Sequence, residues 1–136
     1  MSSPDAAAPE FRGGLAVHPL AVGVGMRSGA MASAIVQAVR VMAGGAVIGC
    51  LATVDRRARE PELVAAAAEL GVPLAVFTAA ELAAVTVPNP SPRAAEAIGT
   101  PSVAEAAALL ASGSDQLVGA KQVIGGITVA AAVIRR

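Results

Sequence analysis

The stretch "LAVGVGMRSGAMASAIV", from Leu20 to Val36, limits most what this chain can become. Val22, Val24 and their neighbours are small or β-branched and read as a short buried strand. Gly23, Gly25 and Gly29 bracket Met26, Arg27 and Ser28 in a tight turn, and a helical pattern begins at Ala30. A glycine turn of this kind accommodates positive φ and leaves N–H groups at a helix N-terminus, facing whatever anion binds there. Arg27 adds a planar, permanently charged fork suited to carboxylate or phosphate. Taken alone, the turn fits two readings: an anion site, or simply the first strand–turn–helix of an α/β sheet.

The rest of the composition narrows the function classes. At 136 residues the chain fits one domain with a core of its own. Hydrophobic residues make up 55% but aromatics only 1%, so close helix–sheet approach has to replace bulky side chains. A formal net charge of zero argues against a general nucleic-acid binder or an anionic-membrane binder. Cys50 is the only cysteine, which excludes a disulfide or a cysteine-based metal site within one chain. It sits in the strand-like run "AVIGCLAT" and reads as a small buried hydrophobe. His18 is the only histidine, lies before the first strand and has no second histidine to join as a ligand. No metal and no cofactor is expected. The start "MSSPDAAAPEFRGG" lacks a basic region followed by an apolar core, and the long apolar stretch from Ala30 to Val54 is broken by Gln37, Arg40 and Gly44–Gly45. A cytoplasmic protein that does not enter a membrane is therefore expected.

Residues 1–19 are rich in Ala, Pro, Ser and Gly and read as a flexible tail, leaving 20–136 as the domain. Ile35, Val36, Val39 and Met42 mark the buried face of a first helix, which Gly44–Gly45 ends. Ala46 to Thr53 form a second strand, apolar throughout and so buried on both faces. Pro61 opens a second helix, Glu60 and Glu62 suit its positive end, and Gly71 with Pro73 stops it. Leu74 to Phe77 make a third strand, and Thr78 with Glu81 is a capping box for a short helix. "VPNPSP", Val87 to Pro92, is a rigid loop, and Ser102 with Glu105 is a second capping box for a helix ending near Gly113. "QLVGAKQVIGGITVAAAVIRR" reads as two strands joined at Gly125–Gly126. The expected fold is α/β: a three-layer single domain with a mixed, mainly parallel central sheet and a C-terminal β-hairpin.

Ligands in open α/β sheets bind beyond the carboxyl ends of the strands. That rule gathers Gly25 to Gly29, Thr53 to Arg59, Thr78 to Ala80 and the Pro88–Ser91 loop on one rim. The second segment carries Thr53, Asp55, Arg56, Arg57, Arg59 and Glu60, which read either as a solvated loop or, beside Arg27, as an anion-binding mouth. The expected binding residues are Gly23, Gly25, Arg27, Ser28, Gly29, Thr53, Asp55, Arg57, Asn89, Ser91 and Lys121, with Asp55 the candidate proton acceptor. Glu81 and Glu105 read as capping residues and not as acids. Lys121, the only lysine, stands inside a strand, where a lysine ordinarily discourages edge pairing. A dinucleotide site fits poorly. Gly23, Gly25 and Gly29 are one residue off the usual G-x-G-x-x-G spacing, and Asp55 comes too late after them. No G-x-S-x-G surrounds any serine, which disfavours a Ser–His–Asp hydrolase.

The succession "GVGMRSG", "LATVDRRAREPEL", "LGVPLAVFTAAELAAVTVPNPS", "GTPSVAEAAALLASG", Lys121 and "GGITVAAAV" resembles the CobE / CbiG C-terminal family of cobalamin biosynthesis over about Leu20 to Val133. Two positions depart from the family's pattern: Met26 stands where a cysteine is frequent, and Gln122 where a second basic residue is frequent. A thiol role at the first turn is thereby excluded. The resemblance implies a protein that binds an anionic precorrin or corrin tetrapyrrole, holding it or handing it on, in company with other enzymes of the pathway. It also implies an alternative, an enzyme opening the lactone of a precorrin-5 type intermediate with release of acetaldehyde, which belongs to the longer CbiG proteins. A third is an accessory subunit of a pathway methyltransferase.

Overall fold

The computed structural model describes residues 18–27, 29–85 and 103–135. The chain runs β1 (Leu20–Gly25), α1 (Ala32–Ala43), β2 (Ile48–Val54), α2 (Pro61–Leu70), β3 (Leu74–Phe77) and α3 (Ala79–Ala83). It continues with α4 (Val103–Ser112), β4 (Gly119–Ile124) and β5 (Ile127–Val133). The five strands form one sheet in the order β3-β2-β1-β5-β4. β1, β2 and β3 are parallel, β5 runs antiparallel to β1, and β4 is antiparallel to β5. This is the expected mixed sheet with its hairpin. The expected tail, 1–19, lies outside the described residues except for His18 and Pro19.

Alternation along the strands sorts side chains to two faces. Val22, Val24, Leu51, Ile127 and Val129 pack with Ile35, Val36 and Val39 of α1 and Leu63 of α2. On the other face Ala52, Val54 and Ala132 pack with Leu82 of α3 and with Ala106, Ala107, Ala108 and Leu109 of α4. The register of β2 slips at Gly49: Leu20 pairs with Ile48 but Ala21 with Cys50. The slip returns Ile48 to the α1 side, where it packs against the first cluster.

Boundaries moved for local reasons. Gly23 and Gly25 belong to β1 and not to the turn, because both pair with β5, opposite Ala130 and Thr128. α1 starts two residues later than its pattern suggests, since the Ala30 N–H closes a turn onto the Arg27 carbonyl. β2 starts at Ile48 because Ala46 still donates to the Ala43 carbonyl in the turn that ends α1. α2, β3 and the Thr78–Glu81 capping box stand where the residues placed them, the box with both bonds made, at 2.8 and 3.0 Å. Gly125 and Gly126 take φ of 60° and 83°, the pair of positive values that a two-residue hairpin turn requires. Among the described residues no helix is long and apolar enough to cross a membrane.

Candidate functional site

Because β1, β2 and β3 are parallel neighbours, their carboxyl ends share one edge of the sheet, and the three turns that follow them share one rim. After β1 comes Arg27, exposed, followed by Gly29 at φ +90° with open space around it. After β2 the backbone stays on the ladder for one more residue, Asp55 donating to the Phe77 carbonyl at 2.8 Å. It then coils through turns closed by Arg57 onto Val54, Ala58 onto Asp55 and Glu60 onto Arg57. This coil leaves Asp55, Arg56 and Arg59 exposed. Arg57 is half-buried and its guanidinium is held by the Glu60 carboxylate at 3.5 Å.

The strand order reverses direction at β1: β2 and β3 lie to one side, β5 and β4 to the other. α1 leaves β1 along one face, while α4 begins on the opposite face. A Cβ added at Gly25 would sit 3.9 Å from that of Val103, the first residue of α4. The starts of α1, α2 and α4 thus surround the carboxyl end of the sheet, and with them the positive ends of three helix dipoles. Arg27, Arg56 and Arg59 stand exposed among them.

The structure distributes the expected binding residues unevenly. Gly25, Arg27, Gly29, Asp55 and Arg57 all lie on the rim. Gly23 does not: it is buried in mid-strand, where any Cβ would collide with the Ala104 carbonyl oxygen and come within 2.9 Å of the Ala108 nitrogen. It serves the approach of α4 and cannot face a ligand. Thr53 is fully buried and its hydroxyl donates to the Val24 carbonyl of β1 at 2.9 Å. That bond satisfies the only polar side chain in β2 and joins the two central parallel strands. Lys121 lies on the edge strand β4, separated from β2 by β1 and β5, three strand spacings or about 14 Å. Ser28, Asn89 and Ser91 lie outside the described residues, as does Ser102 of the second expected capping box.

Two carboxylates carry more of the architecture than their spacing suggests. Glu105 is fully buried in the first turn of α4 and its Oε2 accepts from the Lys121 backbone N–H at 3.0 Å, tying that helix to the edge strand. Glu62, in the first turn of α2, accepts from the backbone N–H of Ala32, the first residue of α1, at 2.7 Å. α1 has no cap of its own: Met31 stands at the N-cap position and its first turn holds no acid. That missing capper was the available sequence signal, since an orphan helix start must find an acceptor elsewhere. Cys50 is half-buried, and burial pushes its thiol above the ordinary value. Among the described residues no group of three His, Cys, Asp or Glu side chains could hold a metal ion.

An open mixed sheet, with arginine-bearing turns collected at the carboxyl end of its parallel half, defines a small α/β protein. The chain belongs to the family described as cobalamin synthesis G C-terminus, whose model matches residues 20–132, and is in that sense a protein of cobalamin biosynthesis. It is similar to the crystal structure of CobE, a protein from the cobalamin (vitamin B12) biosynthetic pathway. The identity is 30%, over 88% of this chain and 96% of that one, with a TM-score of 0.76. It is also similar to the cobalamin biosynthesis protein chiG from Agrobacterium tumefaciens, at 36% identity over 86% of this chain and 99% of that one, with a TM-score of 0.69. A cobalamin biosynthesis protein G homologue from Sulfolobus solfataricus shares the fold at 22% identity and a TM-score of 0.65, this chain covering 37% of that longer one. No curated protein matches the chain.

Proposed function

We propose that the protein binds an anionic precorrin or corrin intermediate at the carboxyl-end rim of its sheet and holds it or hands it on. Such intermediates are flat macrocycles fringed with acetate and propionate carboxylates. One observation carries the reading: the adjacent parallel strands β1 and β2 bring Arg27 and the Arg56–Arg59 turn to the same end of the molecule. The exposed guanidinium groups of Arg27, Arg56 and Arg59 offer paired N–H donors to carboxylates. Arg57 contributes differently, because its pairing with Glu60 fixes the turn that presents its neighbours. The kinship with CobE and the protein chiG supports the pathway to which the ligand belongs.

The test is optical. Titrating the protein into hydrogenobyrinic acid should shift the Soret-region spectrum, and the complex should co-elute at micromolar concentration. Replacing Arg27 and Arg56 together by Ala should weaken binding by about tenfold or more, at two lost charge-assisted contacts. Raised salt should weaken it further, the groups being exposed. No spectral shift and no co-elution would overturn the reading. Release of acetaldehyde from a precorrin-5 type intermediate would replace it with catalysis, for which exposed Asp55 is the nearest candidate base.

A further inference from the structure

We infer that Glu62 is a positioning residue of this rim, a carboxylate that holds the arginine turn after β1 against the arginine turn after β2; the inference rests on the binding role proposed above. The two turns belong to separate β–α units, and their relative placement decides whether Arg27 and the Arg56–Arg59 group can meet one ligand. Glu62 spans them. It sits in the second position of α2, three residues past Arg59, and its Oε1 accepts from the Ala32 N–H at 2.7 Å, a contact between residues thirty apart in sequence. Ala32 in turn begins α1 directly after the turn in which Ala30 donates to the Arg27 carbonyl. The chain of contacts therefore runs from α2 through Glu62 to the base of the Arg27 turn.

The chemistry of the bond suits the task. Its acceptor is a carboxylate oxygen, it is short, and it is partly buried, so it holds one geometry better than a solvated pair would. The carboxylate lies at the positive ends of two helices at once, its own and its neighbour's, which favours its staying in place. Met31, at the N-cap of α1, has no side-chain oxygen to offer.

The position makes an opposite expectation available. Glu62 is a negative charge beside a site proposed to take an anion, so by charge alone its removal should tighten binding. Positioning requires the reverse for Glu62→Ala and not for Glu62→Gln, which removes the charge but keeps an acceptor oxygen. The experiment measures the affinity of wild type, E62A and E62Q for hydrogenobyrinic acid, with amide hydrogen exchange at Ala32 followed in each unliganded protein and thermal unfolding confirming that each is folded. We expect E62A to bind about tenfold more weakly than wild type, the loss of one charge-assisted bond's worth of order, and E62Q to bind as well as wild type or better. Exchange at Ala32 should accelerate in E62A and be restored in E62Q. Wild type that binds while E62A binds equally well or more tightly overturns the positioning role alone, as does unchanged exchange at Ala32 in E62A. Wild type that fails to bind overturns the proposed function and this inference together.

Discussion

On the face covered by α1 and α2 the strands present Leu20, Val22, Val24, Leu51, Ile127 and Val129, and the helices answer with Ile35, Val36, Val39 and Leu63. Under α4 the same strands present Ala21, Gly23, Ala52, Ala130 and Ala132, and the helix answers with Ala104, Ala106, Ala107 and Ala108. The first face fills its volume with branched side chains standing between separated backbones. The second keeps larger side chains, Val54, Leu82 and Leu109, to one part, and where α4 crosses β1 backbone comes down on backbone until the Ala104 carbonyl occupies the place a Cβ at Gly23 would need. Both are buried. They differ in which error each tolerates: the branched face suffers when atoms are removed, the small face when atoms are added.

Gly23→Ala should show the largest effect. One methyl has to push against the main chain of α4, so about 4 kcal/mol of destabilisation and a loss of about 15 °C in Tm are expected by calorimetry. A Tm within a few degrees of wild type would mean that α4 rides further from the sheet than described. Leu63→Ala is the reciprocal change on the other face, removing a fully buried side chain between α2 and the sheet. Denaturant unfolding should register about 3 kcal/mol, transfer and cavity terms together. A cost below about 1 kcal/mol for either substitution would break the contrast between the faces. Thr78→Ala sharpens it from below: the cap of α3 borders the small-residue layer but touches none of its packing, and its loss should cost only about 1 kcal/mol.

This contrast explains what was legible beforehand. The small and β-branched run at Val22 and Val24 already reads as a buried strand, and the periods of α1, α2 and the hairpin are local signals read locally. The rim followed from them, because parallel strands oblige Arg27 and Arg56 to the same edge. What escaped was every fact settled by a distant partner. Gly23 belongs to a glycine pattern that looks like a turn, yet its smallness answers to Ala104, far along the chain. Thr53 looks like a ligand because it is the polar residue ending an apolar strand, yet Val24 of the neighbouring strand takes its hydroxyl. Glu62 and Glu105 look like ordinary first-turn acids, and each is also spent on a different element, α1 and β4. Local chemistry names the groups; only the fold says whether their capacity is still open to a ligand.

The place of β5 carries a consequence for how the molecule comes into being. It lies between β1 and β4, so Val22 in the first strand has to wait for Ala131 in the last. A nascent chain that has emerged as far as β3 holds three parallel strands, of which β1, central in the finished sheet, still shows a bare hydrogen-bonding flank, with glycine and alanine where α4 will rest. Pairings over such separations are slow to form, and an uncovered strand flank invites the wrong neighbour. During synthesis the centre of this sheet is therefore the last part to be sealed.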